Sequence, residues 1–276
     1  MSVRSELSPL LKTMLVLGLV FLYVPILSLI VYSFNESKLV TVWSGFSIKW
    51  YGELFEDAGI MKAAWVSIRI AFFTATASVV LATVAAMVMT RFHPFRGKTL
   101  FGALITAPLV MPEVITGLSI LLLFVAMDMA RGMTTIWIAH VTFCVAFVTV
   151  VVSSRLGEMD KSIEEAAMDL GANRVKVFFL ITLPIIMPAL ISGWLLAFTL
   201  SIDDLVIASF VSGPSSTTLP MKVFSSVRLG LSPKINALAT LMILSVSIVA
   251  LAAWWLMVRE ERKRQRDMQM ALHDAT

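Results

Sequence analysis

Six apolar runs set the terms for this chain. They cover residues 10–34, 63–90, 100–126, 135–153, 185–208 and 236–258, and each is close to or above the ~20 residues an α-helix needs to cross hydrocarbon. Inside a bilayer every backbone N–H and C=O must be satisfied within the segment, so runs of this length read as helices. Hydrophobic residues make up 58% of the sequence and charged residues 14%, against about 45–50% and about 25% in soluble domains. A chain of 276 residues cannot hide that excess in one core and still present a wetted surface. The expected class is an all-α membrane protein with six transmembrane helices, organised as a single transmembrane domain over residues 1–276.

The first run is too long for the ~7–15-residue core of a signal peptide. No small-residue cleavage site follows it, so it reads as an uncleaved anchor, with Pro25 placed to kink it. Residues 35–62 are polar, with Trp43, Trp50 and Tyr51 among them. Ser47 is placed to cap a short helix whose Trp50, Tyr51, Leu54 and Phe55 share a face. That face reads either as an aromatic anchor at the membrane interface or as a docking surface. Cys144 is the single cysteine and reads as a small buried hydrophobe. His93, His140 and His273 are scattered, without metal-ligand spacing.

Six spans place both termini on one side, and lysine and arginine choose the side. With the termini cytoplasmic, fourteen of the 22 basic residues lie in inside segments and seven in outside ones, with Arg69 left within a span. This two-to-one bias predicts a multi-pass inner-membrane protein with cytoplasmic termini. The net charge of +4 therefore speaks to orientation, not to nucleic acid. No G-x-x-x-x-G-K-[ST] pattern occurs, so no nucleotide site is expected on this chain.

The loop at 154–184, between the fourth and fifth spans, then falls in the cytoplasm. Asp160 or Ser162 can cap a helix there, and Ser162 with Glu165 has capping-box spacing. Ile163, Ala166 or Ala167, and Leu170 recur at helical spacing, with Glu164, Glu165 and Asp169 opposite. Gly171 stands where a left-handed helix end wants glycine. A second short helix through Val175–Phe179 turns back, and Pro184 and Pro188 are expected to break or reset the backbone before the fifth span. The product is a compact helix–turn–helix knob. The pattern Glu165-Ala166-Ala167-x3-Gly171-x9-Ile181-x-Leu183-Pro184 resembles, in full, the EAA motif of ABC importer permeases. That resemblance implies a type I permease fold in which the knob, with Glu165, Ala166, Ala167, Asp169, Gly171, Leu183 and Pro184, docks into a separate ATPase subunit. ATP is then used by that partner, and no cofactor is bound by this chain. The peptides 32–35, 106–112, 197–204 and 218–221 resemble those of polyamine-importer permeases, the putrescine importers most of all. The implied partners are a second permease, an ATPase dimer and a periplasmic polyamine-binding protein. One departure stands out: many relatives carry Asn before the serine of the second span, where this chain has Val66 before Ser67.

Glu113, Asp203, Asp204 and Arg69 sit within or at the edges of apolar runs. A charge at the bilayer centre costs at least about 2.5–3.5 kcal/mol on insertion scales, so such residues face a bundle interior or a wet path. Counting ~1.5 Å per residue along straight spans puts all four at one level in the outer half. A carboxylate cluster from Glu113, Asp203 and Asp204 would suit a di-ammonium alkane, charged at its ends and apolar between, with Arg69 as a counter-ion. Asp203 and Asp204, adjacent on a helix, would point about 100° apart. The competing readings are an ion-coupled secondary transporter, for which inverted repeats are not evident, and a membrane enzyme, for which no nucleophile–base pair or metal cluster is visible.

Overall fold

The computed structural model describes residues 8–39, 42–230 and 232–248, together with Leu251, Trp255 and Arg259. Most of the sixth run beyond Ile248, and the basic tail beyond Arg259, lie outside the described residues. The chain divides into two compact units, residues 1–57 with 226–276 and residues 58–225.

The first unit holds α1 (Pro9–Ser33), α2 (Lys49–Glu56) and the apolar α12 (Pro233–Ile248). Leucine, valine and isoleucine surround α1 on all sides, and its side chains are exposed over nearly its whole length, as a lipid-facing helix requires. The polar stretch after it is a knot built on Asn35, whose side chain donates to Val42 O (2.7 Å) and accepts from Ser37 N and Ser44 N. Trp50 Nε1 donates to Asn35 O (2.6 Å). Trp50 and Leu54 are buried and Phe55 is exposed, so the aromatic face is split: Trp50 is a core residue of this knot. Ser47 is not the cap of α2; Ile48 holds that place, and Ser47 Oγ accepts from Lys49 N one step earlier.

The second unit is a packed bundle of α3 (Ala58–Arg91), α4 (Lys98–Val110), α5 (Glu113–Ala126), α6 (Met133–Glu158), α7 (Lys161–Asp169), α8 (Arg174–Val177), α9 (Leu183–Ile202) and α10 (Val206–Val211). The next helix, α11 (Leu219–Leu229), begins in it. α3, α6 and α9 form the core, through Val66, Ile70, Ala82 and Ala86, then Phe143 and Val148, then Ile186, Leu190 and Ala197. Small residues bring these backbones close: a Cβ on Gly193 would lie 2.9 Å from Val148 Cγ1. Cys144 is buried in this core, its Sγ 3.7 Å from Ala197 O.

Among the described residues, four helices are long and apolar enough to span a membrane: Pro9–Ser33, Ala58–Arg91, Met133–Glu158 and the run Arg174–Ile202. The third expected span departs from a single rod. The axis turns by 116° between α4 and α5. Met111 takes an extended backbone there (ψ 135°), as a residue before proline does. The fifth span is longer at one end and shorter at the other. It runs unbroken through Pro184 and Pro188, against expectation, and stops at Ile202. A π-helical turn, Phe178–Thr182, precedes Pro184, with Leu183 N–H bonding back to Phe178 O. This wider turn shifts the hydrogen-bond register just where the proline ring would meet a carbonyl and leave it without a donor.

Candidate functional site

The knob between α6 and α9 follows from local chemistry. Asp160 is the residue that caps α7, its side chain accepting from Ser162 N (2.9 Å). Ser162 thus donates through its backbone, and the Ser162–Glu165 capping box is not formed. The contact with the Ser162 N–H holds the Asp160 carboxyl below the usual carboxylate range. At the other end, Gly171 adopts φ +87°, its N–H bonding to Met168 O (2.9 Å) while Ala172 N–H bonds to Ala167 O (3.1 Å). These two bonds are the paired closure of a Schellman helix end. Asn173 then caps α8 by accepting from Lys176 N (2.8 Å).

α7 has no buried residue. Glu165, Ala166 and Asp169 are exposed and Ala167 is half-buried. Leu170 is 91% exposed, with Val175, Ile163 and Met168 also open. Farther on, Leu183 is half-buried and Pro184 exposed at the start of α9. Beside the knob, a cavity of about 660 Å³ opens between α7, α8 and the end of α3, lined by Phe92, Phe95, Lys161, Glu165 and Arg174 among others.

The ionisable residues of the spans are arranged differently from a straight-helix reading. Asp203 and Asp204 do not share a helix. Asp203 caps the C-terminus of α9 and is exposed, while Asp204 begins the turn into α10. Asp204 accepts from Ile207 N (3.2 Å) and Ala208 N (2.7 Å), satisfying two N–H groups that a helix start leaves free. Its Oδ2 also lies 3.1 Å from Nε2 of the buried His140 on α6, whose Nδ1 is 2.8 Å from Ser201 Oγ. Asp204 is thus a structural knot as well as a carboxylate. His140 belongs to this cluster although nothing near it in the sequence marks it. Its other partner, Ser201, stands two and three residues before the two aspartates.

Glu113 is exposed at the N-terminus of α5, and α5 packs on α10. The tight contact is Gly117, where a Cβ would lie 2.8 Å from the Phe210 ring and 3.3 Å from Ile207 Cα. The structure thus brings the helix of Glu113 against the helix that Asp204 caps. The 116° turn removes the straight-rod depth for Glu113. Arg69 is exposed on α3, and among the described residues no carboxylate lies within ion-pair distance of it. His140, not Arg69, is the basic residue that faces Asp204.

Residues 78–266 match the family described as binding-protein-dependent transport system inner membrane component. The chain is 64% identical over 270 residues to the putrescine transport system permease protein PotI of Escherichia coli K12, covering 96% of each. It is 42% identical over 233 residues to the spermidine/putrescine transport system permease protein PotC of Haemophilus influenzae, covering 84% of this chain and 90% of that one. Among solved structures, a bacterial ABC transporter involved in the import of the acidic polysaccharide alginate matches with a TM-score of 0.70 at 17% identity, over 88% of this chain and 93% of that one. A second, the bacterial alginate ABC transporter in complex with alginate pentasaccharide-bound periplasmic protein, matches with a TM-score of 0.67 at 14% identity, over 88% and 91%. At such identities the structural likeness carries the fold alone. Sequence and fold agree: the chain belongs to the binding-protein-dependent inner-membrane transport components, the multi-pass permeases of ABC importers.

Proposed function

We propose that this permease carries a polyamine, putrescine first, across the inner membrane, and that its knob is pushed by a separate ATPase dimer. The observation that carries the coupling half is the crown of the knob. A helix with no buried residue, ending in a leucine that is 91% exposed, has an apolar surface that only another protein would cover. Glu165, Ala166, Ala167 and Asp169 form the surface beside it, Gly171 sets its turn, and Leu183 and Pro184 join it to α9. ATP is consumed on the partner, and this chain contributes no nucleotide site or cofactor. The remaining partners are a second permease, with which it encloses the path, and a periplasmic binding protein. The termini lie in the cytoplasm, as the lysine and arginine bias favours.

The relatives PotI and PotC carry polyamine names, and the acidic residues of the spans fit that cargo. Glu113 is an exposed carboxylate on α5, which meets α10 through Gly117 and Phe210, and Asp203 is exposed at the end of α9, three residues before α10 begins. They would replace water around the ammonium ends of the substrate. Asp204 contributes negative charge beside them while holding the turn, and Arg69 moderates the field from α3. Spermidine is the alternative cargo. The test is uptake of radiolabelled putrescine by the assembled transporter in liposomes, with spermidine as competitor. Asp203→Asn is expected to lower uptake at least tenfold with the complex intact. Uptake and substrate-stimulated ATP hydrolysis that stay at the level of the natural protein in Asp203→Asn and Glu113→Gln would remove the carboxylate path.

A further inference from the structure

With no core of its own, α7 needs another attachment to the spans, and one residue supplies it. Glu164, in its first turn, has one oxygen 2.8 Å from Arg91 Nε at the end of α3. Its other oxygen accepts from Thr182 Oγ1 (2.7 Å), in the π-helical turn that leads into α9. Both side chains are sheltered, 10% exposed for Arg91 and 13% for Glu164, so water screens this pair less than a surface pair. Arg91 also donates from Nη2 to Met159 O (3.2 Å), on the link between α6 and α7. Three elements that meet the knob, α3, the α6–α7 link and the start of α9, are thus tied through one carboxylate and one guanidinium.

The far end of α3 carries a matching contact. Ser67, buried near its start, accepts from Leu219 N (2.8 Å), at the beginning of α11. Between these two contacts α3 is an unbroken helix whose Ile70, Ala75, Ala82 and Ala86 are packed in the core. A helix of this kind moves as a rod, because close-packed interiors shift between discrete arrangements instead of deforming gradually.

We propose that Arg91 and Glu164 are positioning residues for coupling, the joint through which movement of the knob reaches α3 and, at its other end, the segment held by Ser67. This rests on the reading of the knob as the ATPase-driven element and adds the joint to it. Glu164 stands one residue before the EAA pattern, so the pattern does not include it. Rotation of α7 pulls on Arg91 and Thr182 together, and α3 and α9, which pack on each other, turn as one body. The contact is an ion pair, not an aligned hydrogen bond, since the Arg91 Nε–H does not point at the carboxylate; its strength comes from opposite charges 2.8 Å apart and sheltered from water.

The test uses the complete transporter in liposomes with radiolabelled putrescine, reading uptake and ATP hydrolysis in the same preparation. Arg91→Gln and Glu164→Gln are each expected to lower the ratio of uptake to hydrolysis about tenfold while the subunits still co-purify. Arg91→Lys keeps the charge but loses the guanidinium fork, and is expected to fall between. The exchange Arg91→Glu with Glu164→Arg restores the ion pair but not the bonds to Met159 O and Thr182, and is expected to raise the ratio at least about threefold above either single variant. Single variants with an unchanged ratio overturn the proposal, as does an exchange variant no better than the singles. Loss of uptake and hydrolysis in proportion, with the complex falling apart, makes the pair merely structural and also overturns it. A natural complex without ATP-driven uptake would remove the coupling reading itself, and the joint with it.

Discussion

The two ends of α9 answer the same question in opposite ways. At one end the sequence offers two prolines, Pro184 and Pro188, and the helix continues through both. At the other it offers neither proline nor glycine, and the helix stops at Ile202. What separates them is where the backbone finds partners. Ahead of Pro184 the π-helical turn absorbs the missing donor within the helix itself. At Asp203–Leu205 the Asp204 carboxylate takes two N–H groups of α10, three and four residues on, and its tertiary partner is His140 of α6, itself held by Ser201 of α9. Helix breakers in the sequence mark local strain, but in this bundle a carboxylate that caps the next helix and meets a buried histidine decides where the span ends.

The comparison is broken most directly at Asp204. Replacing it with alanine leaves His140 and two N–H groups unsatisfied in a buried place, and each such group costs roughly 1–3 kcal/mol. The expected result is a large drop in the thermal midpoint of the detergent-solubilised protein, with Asp204→Asn falling less. A midpoint unchanged in Asp204→Ala would mean that the turn is set elsewhere. Close backbone approach on the same side is tested at Gly213. There a Cβ would sit 2.0 Å from the Arg131 carbonyl oxygen, so that backbone must move. Gly213→Ala is expected to destabilise by about 1–3 kcal/mol, as overpacking does, seen in the same melting experiment.

At the knob the effects are smaller, because its conformation is set locally. Gly171→Ala meets no atom within 4 Å, so only the left-handed backbone at φ +87° resists it. The cost is about 1–2 kcal/mol, and partner binding should weaken only as far as the knob unwinds, measurable by co-purification yield. Asp160 gives the smallest effect, and one with a sign. Its carboxyl titrates below its unfolded value, so its support for α7 is present above the unfolded pKa near 3.9 and is lost as pH falls through the lower folded value. Asp160→Asn keeps a capping oxygen and should abolish that acid sensitivity in hydrogen exchange of the α7 amides.

The same contrast explains what the sequence could reveal. The spans were legible because a bilayer forces long apolar runs to be helices, and residues 10–34 and 135–153 lie almost as expected. The turn of the knob was legible because Gly171 and Asp160 act on their immediate neighbours. The fold at 111–112 carried a local sign, a residue before Pro112, which a reading by run length passes over. The Asp204 knot carried almost none, since His140 lies 64 residues away along the chain. The tie between Arg91 and Glu164 is of the same kind, joining two helix ends that only the packed bundle brings within 2.8 Å. Long-range polar pairs have no period, and so the elements were readable while the joints between them were not.

The central claim is that the knob receives its push from an ATPase subunit, and one cross-linking measurement tests it. Cysteine placed at Ala166, exposed on α7, is paired with a cysteine on the ATPase surface in the complete transporter in liposomes. The account predicts that an oxidant joins the two, that ATP-driven putrescine uptake then stops, and that a reductant restores it. Failure to join at any position of the ATPase, together with labelling of that cysteine by an impermeant reagent from the periplasmic side, would contradict it.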